Sequence, residues 1–337
     1  MTASPPARDR SDSSSAPSIR GITYAYASHA RSVRELAAAG ALESEPELLE
    51  RFGFALVHVA TDESPFELAR AAASRLLDEQ GIDPADVGLL VYGGTPGAMA
   101  FSAAEDAAEG AAALCTADRF RYPATRLQFE LGLDGAAVLA LDQLACTTLF
   151  GAVRVARALM AAEGIERALC VAGDFYPARA GREAIYNCTS DAACALLLER
   201  AGAASARNRI VGAATITKGY YWDAAAMREE VVASYFPTAV HAIQRTLASA
   251  GWRTDDVDWV IPHNVSMRSW DVLRRLAGVG GARFWSRNIA CRGHALAGDN
   301  FINLRDALDE GAVRPGDRAL LFSYGYGAHW TGLAVEV

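Results

Sequence analysis

The sequence of 337 residues has no basic block, no run of about 20 uninterrupted apolar residues and no CxxC pair. The missing basic block and the net charge of −8 argue against a nucleic-acid-binding protein, because such proteins neutralise phosphates with clustered lysine and arginine. The most apolar segment, GAAVLALDQLACTTLFGAV (residues 135–153), is interrupted by Asp142, so we expect no membrane-spanning helix. We therefore expect a soluble protein that binds neither nucleic acid nor a membrane.

The cysteines are spread singly through the chain, and several lie in apolar runs. This distribution favours the reducing cytoplasm over a disulfide framework or a zinc site. No metal-ligand spacing and no dinucleotide-binding fingerprint occurs in a suitable context, so no metal and no organic cofactor is expected. The six cysteines are Cys115, Cys146, Cys170, Cys188, Cys194 and Cys291.

Apolar residues make up 51% of the chain, whereas charged residues make up only 21%. Residues 1–18 are the exception to the apolar pattern, since serine, proline and charged residues dominate there, which is typical of a disordered tail. The remaining length suits two halves of ordinary domain size, and we place them at residues 19–205 and 206–337.

Two distant segments, residues 66–94 and 236–264, align without a gap. Each has apolar residues at helical spacing up to a glycine, then an acidic turn, then a short apolar run typical of a buried strand. Such similarity arises by chance between some unrelated helix-strand units, but a second pair supports the repeat. A helix at about residues 147–162 leads to the strand LCVAGD, and a helix at about residues 298–310 leads to the strand LLFSYG. The chain is therefore predicted to be a duplicated α/β unit whose strands are covered by helices.

Cys146 is the candidate nucleophile. It precedes the helix at about residue 147, where the helix dipole and unpaired backbone N–H groups stabilise a thiolate. The alternative is packing, because cysteine is among the most frequently buried residue types.

His263 and His294 favour the catalytic interpretation. His263 ends a predicted strand and His294 precedes a predicted helix, so both lie at strand-to-helix turns of the duplicated unit. A thiol with imidazoles in reach is the arrangement needed for covalent acyl transfer, although a histidine at such a turn can also simply bond to a backbone carbonyl. Gly325 and Gly327 follow a strand, where they allow backbone N–H groups to approach an oxyanion or else form a plain tight turn.

Three segments resemble the thiolase superfamily, and within it the β-ketoacyl-ACP synthase III (KAS III) group. ALDQLACTTLFGAV is similar to the nucleophile motif, VIPHNVSMRS to the histidine motif and SYGYGAHWTGLAVEV to the glycine-rich C-terminal strands. The resemblance covers most of the chain from about residue 50. It implies a thiolase-like, duplicated αβαβα five-layered fold.

The same resemblance implies that Cys146 accepts an acyl group from a thioester and that His263 stabilises the enolate formed on decarboxylation of a malonyl unit. The oxyanion hole would comprise the backbone N–H of Cys146 and the loop Gly325, Tyr326 and Gly327. His294 stands where KAS III enzymes have asparagine, which gives a Cys-His-His site like that of KAS I and II.

The expected activity is therefore a decarboxylative Claisen condensation with a malonyl-type thioester, in a specialised polyketide or other natural-product pathway. The alternative is an acyltransferase that moves the acyl group to an alcohol or amine without forming a carbon–carbon bond. A non-catalytic partner subunit or acyl-binding scaffold is a third hypothesis, and retention of Cys146 argues against it.

The resemblance also implies acyl-CoA or acyl carrier protein as donor, and a homodimer. Because carrier proteins are acidic, a local basic face is needed, and the helix after His263 supplies Arg268, Arg274 and Arg275. These arginines could equally be solvated helix charges. Phe101 and Tyr122 are two candidates for closing the acyl pocket of a neighbouring subunit, on either side of an Ala-rich insertion at residues 102–121.

Overall fold

The computed structural model describes residues 17–94, 122–176, 181–200, 202, 207–224 and 226–337. The strands are β1 (Ser18–Tyr26), β2 (His29–Ser32), β3 (Leu56–Val59), β4 (Leu89–Gly93), β5 (Ala137–Leu141), β6 (Arg167–Asp174), β7 (Glu183–Ala184), β8 (Asn187–Cys188), β9 (Ala192–Glu199), β10 (Arg209–Thr217), β11 (Trp259–Pro262), β12 (Arg283–Phe284), β13 (Arg318–Gly325) and β14 (His329–Glu336). The helices are α1 (Val33–Ala38), α2 (Pro46–Arg51), α3 (Pro65–Gln80), α4 (Pro123–Glu130), α5 (Thr148–Glu163), α6 (Arg228–Ala250), α7 (Met267–Leu276), α8 (Arg287–Arg292) and α9 (Asp299–Asp309).

The main sheet is mixed and runs in the order β12-β11-β13-β14-β10-β1-β9-β6-β4-β5. Read inward from either end, the two halves have the same pattern of parallel and antiparallel pairs. The halves meet at β1 and β10, where Ser18 pairs with Arg209. This internal symmetry is what a duplicated unit requires.

Three buried clusters divide the molecule into layers. The central cluster contains α5 and α9 together with the inward-facing side chains of both half-sheets. A second cluster covers the outer face of the C-terminal half-sheet with α6 and α7, and a third covers the outer face of the N-terminal half-sheet with α3 and α4. The strands are apolar on both faces because each half-sheet lies between two helical layers. The predicted αβαβα fold is confirmed.

The two aligned segments adopt the same local structure. Helix α3 ends at Gly81 and α6 ends at Gly251, and both glycines have left-handed backbone conformations, with φ of 59° and 72°. A left-handed residue at this position satisfies the last helical carbonyls, and glycine adopts it at little cost. A single 3₁₀ turn then leads to β4 in one half and to β11 in the other.

Within the described ranges, the helical segment Ala145–Glu163 is long and apolar enough to cross a membrane by length and composition alone. Half of its most apolar window is buried, and its apolar side chains pack in the central layer between the half-sheets. Its apolar character is therefore explained by its position in the core.

The structure corrects one predicted boundary. Ser18 begins β1 and is buried, so the tail predicted at residues 1–18 extends too far into the chain. Residues 1–16 lie outside the described residues, as do Phe101 and the insertion at residues 102–121.

Candidate active site

Cys146 lies at the junction between β5 and α5. It occupies a single 3₁₀ turn, Ala145–Thr147, that continues directly into α5, and its side chain is buried with only 8% exposure. Its backbone carbonyl accepts a hydrogen bond from the Ser323 hydroxyl at 3.1 Å, which ties this turn to the end of β13 in the other half. The sulfur is therefore presented where the two halves meet.

His294 contacts the sulfur of Cys146 directly. The distance from His294 Nε2 to Cys146 Sγ is 3.2 Å, and the other ring nitrogen, Nδ1, lies 2.5 Å from Oδ2 of Asp299. Because a carboxylate only accepts, Nδ1 carries the hydrogen and Nε2 can take a proton from the thiol. Carboxylate, imidazole and thiol thus form one hydrogen-bonded line.

Asp299 is fully buried and held by backbone donors. Its carboxylate accepts hydrogen bonds from the backbone N–H of Asn264 and of Ala295, both at 2.6 Å. The sequence analysis missed this residue, because an aspartate at the first position of a helix is usually a cap. Asp299 lies five residues after His294, at the start of the helix that His294 precedes, and this spacing could have identified it as a partner of His294.

The surroundings of His294 favour its charged form. Burial on its own lowers the pKa of His294, but the Asp299 carboxylate and the Cys146 thiolate outweigh burial and raise that pKa well above its ordinary value. The imidazolium form of His294 is therefore stabilised once the Cys146 thiol has given up its proton.

His263 is neutral. Burial, together with the positive charge of His294, lowers the pKa of His263 to about 3. Its Nδ1 lies 3.2 Å from the carbonyl oxygen of Phe322, which can only accept, so Nδ1 carries the hydrogen and Nε2 is left with a lone pair. The rings of His263 and His294 have centroids 6.1 Å apart, so the structure brings both predicted histidines to one place.

The glycine loop after β13 lies against the nucleophile turn. A Cβ atom added to Gly325 would be 2.5 Å from the carbonyl oxygen of Leu144 and 3.2 Å from the backbone nitrogen of Cys146. Only glycine fits this close backbone contact. The predicted oxyanion loop, Gly325 to Gly327 with Tyr326 between them, is thus adjacent to the Cys146 N–H.

The internal symmetry offers a comparison for that N–H. The turn Leu296–Gly298 precedes α9 as the turn of Cys146 precedes α5, and both turns begin with a non-glycine residue at positive φ, 49° at Leu296 and 46° at Ala145. In the C-terminal half, Ala297 stands where Cys146 stands, and its N–H donates to the Asp174 carboxylate at 2.9 Å. The Ala297 N–H, which corresponds to the N–H of Cys146, therefore donates to a carboxylate oxygen.

Three partly buried tyrosines are affected by charge at Cys146. Burial first, and the negative charge of the Cys146 thiolate second, raise the pKa of Tyr176, Tyr324 and Tyr326. These phenols consequently stay neutral and can donate hydrogen bonds.

The other predicted site residues lie further from the sulfur or are committed elsewhere. Arg268 and Arg275 are exposed on α7, but Arg274 donates to the carbonyls of Gly280 and Ala282, so it is less available for docking than predicted. Tyr122 is 53% exposed at the start of α4, where its carbonyl accepts from Thr125 and Arg126.

Comparisons with known proteins agree with this architecture. Residues 247–337 match the family model described as 3-oxoacyl-[acyl-carrier-protein (ACP)] synthase III C terminal. The chain is 25% identical over 316 residues to the β-ketoacyl-[acyl-carrier-protein] synthase III of Rhodospirillum rubrum, covering 86% of this chain and 89% of that protein. The solved 3-oxoacyl-[acyl-carrier-protein] synthase III of Aquifex aeolicus superimposes with a TM-score of 0.78 at 18% identity, covering 95% of this chain and 100% of that one. A second solved structure, the acyltransferase ChlB3, superimposes with a TM-score of 0.80 at 20% identity, covering 96% of this chain and 98% of that one.

Proposed function

We propose that this chain, which is similar to a KAS III protein over 86% of its length, transfers an acyl group from a thioester donor through an acyl-Cys146 intermediate. The observation that carries the proposal is the line from Asp299 through His294 to the Cys146 sulfur, with distances of 2.5 and 3.2 Å. A nucleophile, a base in contact with it and a group that orients the base are the parts that covalent acyl transfer needs.

In the first step, His294 Nε2 takes the thiol proton and the sulfur attacks the thioester carbonyl. The carbonyl oxygen becomes an oxyanion, and the N–H groups of Cys146 and of the Gly325–Gly327 loop stabilise it. The Ala297 N–H, which binds the Asp174 carboxylate at the symmetric position, supports this role for the Cys146 N–H. The oxyanion then collapses, the carbon–sulfur bond to the donor breaks and the leaving thiolate takes the proton from His294.

The second step differs between the two enzyme hypotheses, and the following steps describe transfer to an alcohol or amine. Once Cys146 is acylated, His294 is free to remove a proton from the hydroxyl or amine of the acceptor, while Asp299 stabilises the imidazolium that forms. The acceptor oxygen or nitrogen attacks the acyl carbon, and the carbon–sulfur bond to Cys146 breaks.

Decarboxylative condensation, the activity expected from the sequence, is the second candidate. Similarity to the Rhodospirillum rubrum protein named β-ketoacyl-[acyl-carrier-protein] synthase III supports it. The state of His263 argues against condensation. Its Nδ1–H donates to the Phe322 carbonyl, so Nε2 has no hydrogen to donate to an enolate oxygen. A specialised pathway remains a prediction under either chemistry.

Intact-mass measurement tests the first step. The wild type is mixed with acyl-CoAs and acyl carrier proteins beside the Cys146→Ala variant, and an acyl adduct is expected on the wild type alone. An equal adduct on both proteins, or none with any donor, contradicts the proposal.

A His294→Asn variant tests the second step, provided that each rate is divided by the amount of acyl-Cys146 the variant forms, because His294 also acts in the first step. Asparagine is the KAS III residue at this position, so condensation with a malonyl thioester, followed as release of carbon dioxide, would survive in part. Transfer to an alcohol or amine would be lost, because asparagine cannot act as a base. The wild type is assayed with both kinds of second substrate to show which product forms.

The proposed donors are acyl-CoA and acyl carrier protein. Exposed Arg268 and Arg275 would attract an acidic carrier protein. A homodimer is supported by strand β5, the apolar segment AVLAL, which lies at one end of the sheet order and is half exposed along its length. Such an edge is a site for pairing with the same strand of a second copy.

A further inference from the structure

Lys218 is the single lysine of a chain with 32 basic residues of the lysine and arginine types. It follows the end of β10, beside the proposed oxyanion loop. Its backbone N–H donates to the carbonyl of Ala328 at 3.0 Å, and Thr217 before it pairs with His329. Since Ala328 adjoins Gly327, the lysine is anchored one residue from the loop that contacts the nucleophile turn.

The ammonium group of Lys218 is half-buried and has uncharged neighbours. Its Nζ donates to the hydroxyl of Thr238 at 2.7 Å and lies 5.6 Å from the centroid of the Trp330 ring. In the described part of the chain these contacts include no carboxylate. A partly desolvated ammonium that still has N–H groups available to donate is a favourable binding site for an anion.

Two further hydrogen-bond donors, on the Trp330 ring and on the tyrosine packed against it, lack a partner among the described residues. They are the indole N–H of Trp330, whose side chain is fully buried, and the hydroxyl of Tyr324. The two rings have centroids 4.9 Å apart. Buried donors are nearly always satisfied in native proteins, so two together call for an explanation.

Tyr324 also links this group of residues to the nucleophile turn. Tyr324 lies between Ser323, whose hydroxyl donates to the Cys146 carbonyl, and Gly325, where an added Cβ would be 3.2 Å from the Cys146 backbone nitrogen. A substrate group that extends from Cys146 past Tyr324 would reach Trp330 and then Lys218.

We propose that Lys218, with Tyr324 and Trp330, binds a carboxylate carried by one of the two substrates of the proposed acyl transfer. This inference rests on the proposed function, and it adds the chemical class of the substrate. The carboxylate belongs either to the acyl group, as in a dicarboxylic acid bound to CoA by one end, or to the acceptor.

The first test measures acylation of Cys146 by succinyl-, glutaryl- and adipoyl-CoA against uncharged acyl-CoAs of equal carbon number. If the carboxylate is on the acyl group, the wild type prefers the charged donors and Lys218→Met reduces that preference about 10- to 100-fold, the range for a charged hydrogen bond. Methionine keeps the apolar stem over Trp330, and Lys218→Arg should retain part of the preference. Arg253→Met, which removes a cation from an 81% exposed side chain, is the matched control and should change nothing.

If acylation shows no preference, the same variants are compared in the second step, with acceptor alcohols and amines that carry or lack a carboxylate. A preference that Lys218→Met removes there places the carboxylate on the acceptor. Equal rates for charged and uncharged compounds in both steps, or a uniform loss with every substrate in Lys218→Met, would overturn the inference. Acyl-Cys146 formation without any preference leaves the proposed function intact, so the two failures are distinguishable.

The second test is independent of activity. Because Lys218 is the only lysine, an amine-directed reagent labels its ε-amine and the α-amino group, which peptide mass spectrometry separates. Glutarate or glutaryl-CoA should slow labelling of Lys218 in Cys146→Ala, whereas uncharged pentanoyl-CoA should not. Tyr324→Phe should weaken this protection, and equal labelling rates with all compounds would contradict the inference.

Discussion

Asp299 accepts a hydrogen bond from Nδ1 of His294, and this contact fixes which nitrogen of the imidazole faces the Cys146 sulfur. The Asp299→Asn variant keeps the size of the side chain but removes its charge. An asparagine amide can also donate to Nδ1 and so place the hydrogen on Nε2, where it blocks proton transfer from the thiol. We expect acyl transfer to fall by about 10²- to 10⁴-fold.

The measurement is the rate of Cys146 alkylation by iodoacetamide, read by peptide mass spectrometry to separate it from the exposed Cys291, together with acyl-enzyme formation. Asp306→Asn is the matched control, because Asp306 is a partly buried aspartate bonded to Tyr24 and Asn288. An unchanged alkylation rate in Asp299→Asn, with the fold intact, would remove Asp299 from the site.

His263 should make the protein acid-sensitive. The pKa of His263 is lowered to about 3 in the folded protein, whereas an unfolded histidine binds a proton below about pH 6.5. The unfolded state therefore binds more protons than the folded state in this pH window. The contribution of His263 to the free energy of unfolding decreases as pH falls from about 6.5 towards 3, by up to about 1.4 kcal/mol per pH unit.

Urea unfolding at several pH values between about 6.5 and 4 tests this prediction. His263→Gln should lose less stability per pH unit than the wild type, whatever its stability at neutral pH. His241→Gln, at an exposed position on α6, serves as the control and should follow the wild type. Parallel pH profiles for all three proteins would contradict the assignment of a neutral buried imidazole.

Gly325 should not tolerate a methyl group. The added Cβ would meet backbone atoms of Leu144 and Cys146, which cannot rotate away as a side chain would. We expect Gly325→Ala to cost about 1–3 kcal/mol and to slow acyl-enzyme formation by displacing the oxyanion loop. Gly281→Ala is the control, since an added Cβ there meets nothing within 4 Å, and it should leave both properties unchanged. A variant Gly325→Ala with normal stability and rate would show that this contact is not required.

The sequence was sufficient to predict the features that repeat. The glycine-ended helices α3 and α6 and the strands after them were identified from periodicity, because apolar spacing and helix termination are local properties. Cys146 and His294 were identified as candidates for the same reason, since each lies next to a helix start.

Their contact could not be predicted from local pattern, because it depends on how the two halves pack. Asp299 was missed since its carboxylate is oriented by backbone N–H groups of Asn264 and Ala295, and Asn264 is 35 residues away in sequence. The positions of Tyr324 and Lys218 likewise follow from the pairing of β10, β13 and β14, which no single segment encodes.

The exposed edge of β5 leads to the last prediction, that the protein is a dimer through this strand. Leu139 lies at the middle of β5 with 38% exposure, and Leu56 on β3 has a nearly equal 37%. A charge on a strand edge opposes pairing with a second copy, so Leu139→Lys should convert a dimer to a monomer. Leu56→Lys, which changes a leucine of the same exposure in the separate two-stranded sheet, should stay dimeric. Light scattering coupled to size-exclusion chromatography measures the mass of each species. A dimer that survives Leu139→Lys would place the self-association surface elsewhere, and a monomeric wild type would contradict the dimer itself. Acyl transfer by a monomeric Leu139→Lys would show that one chain completes the site.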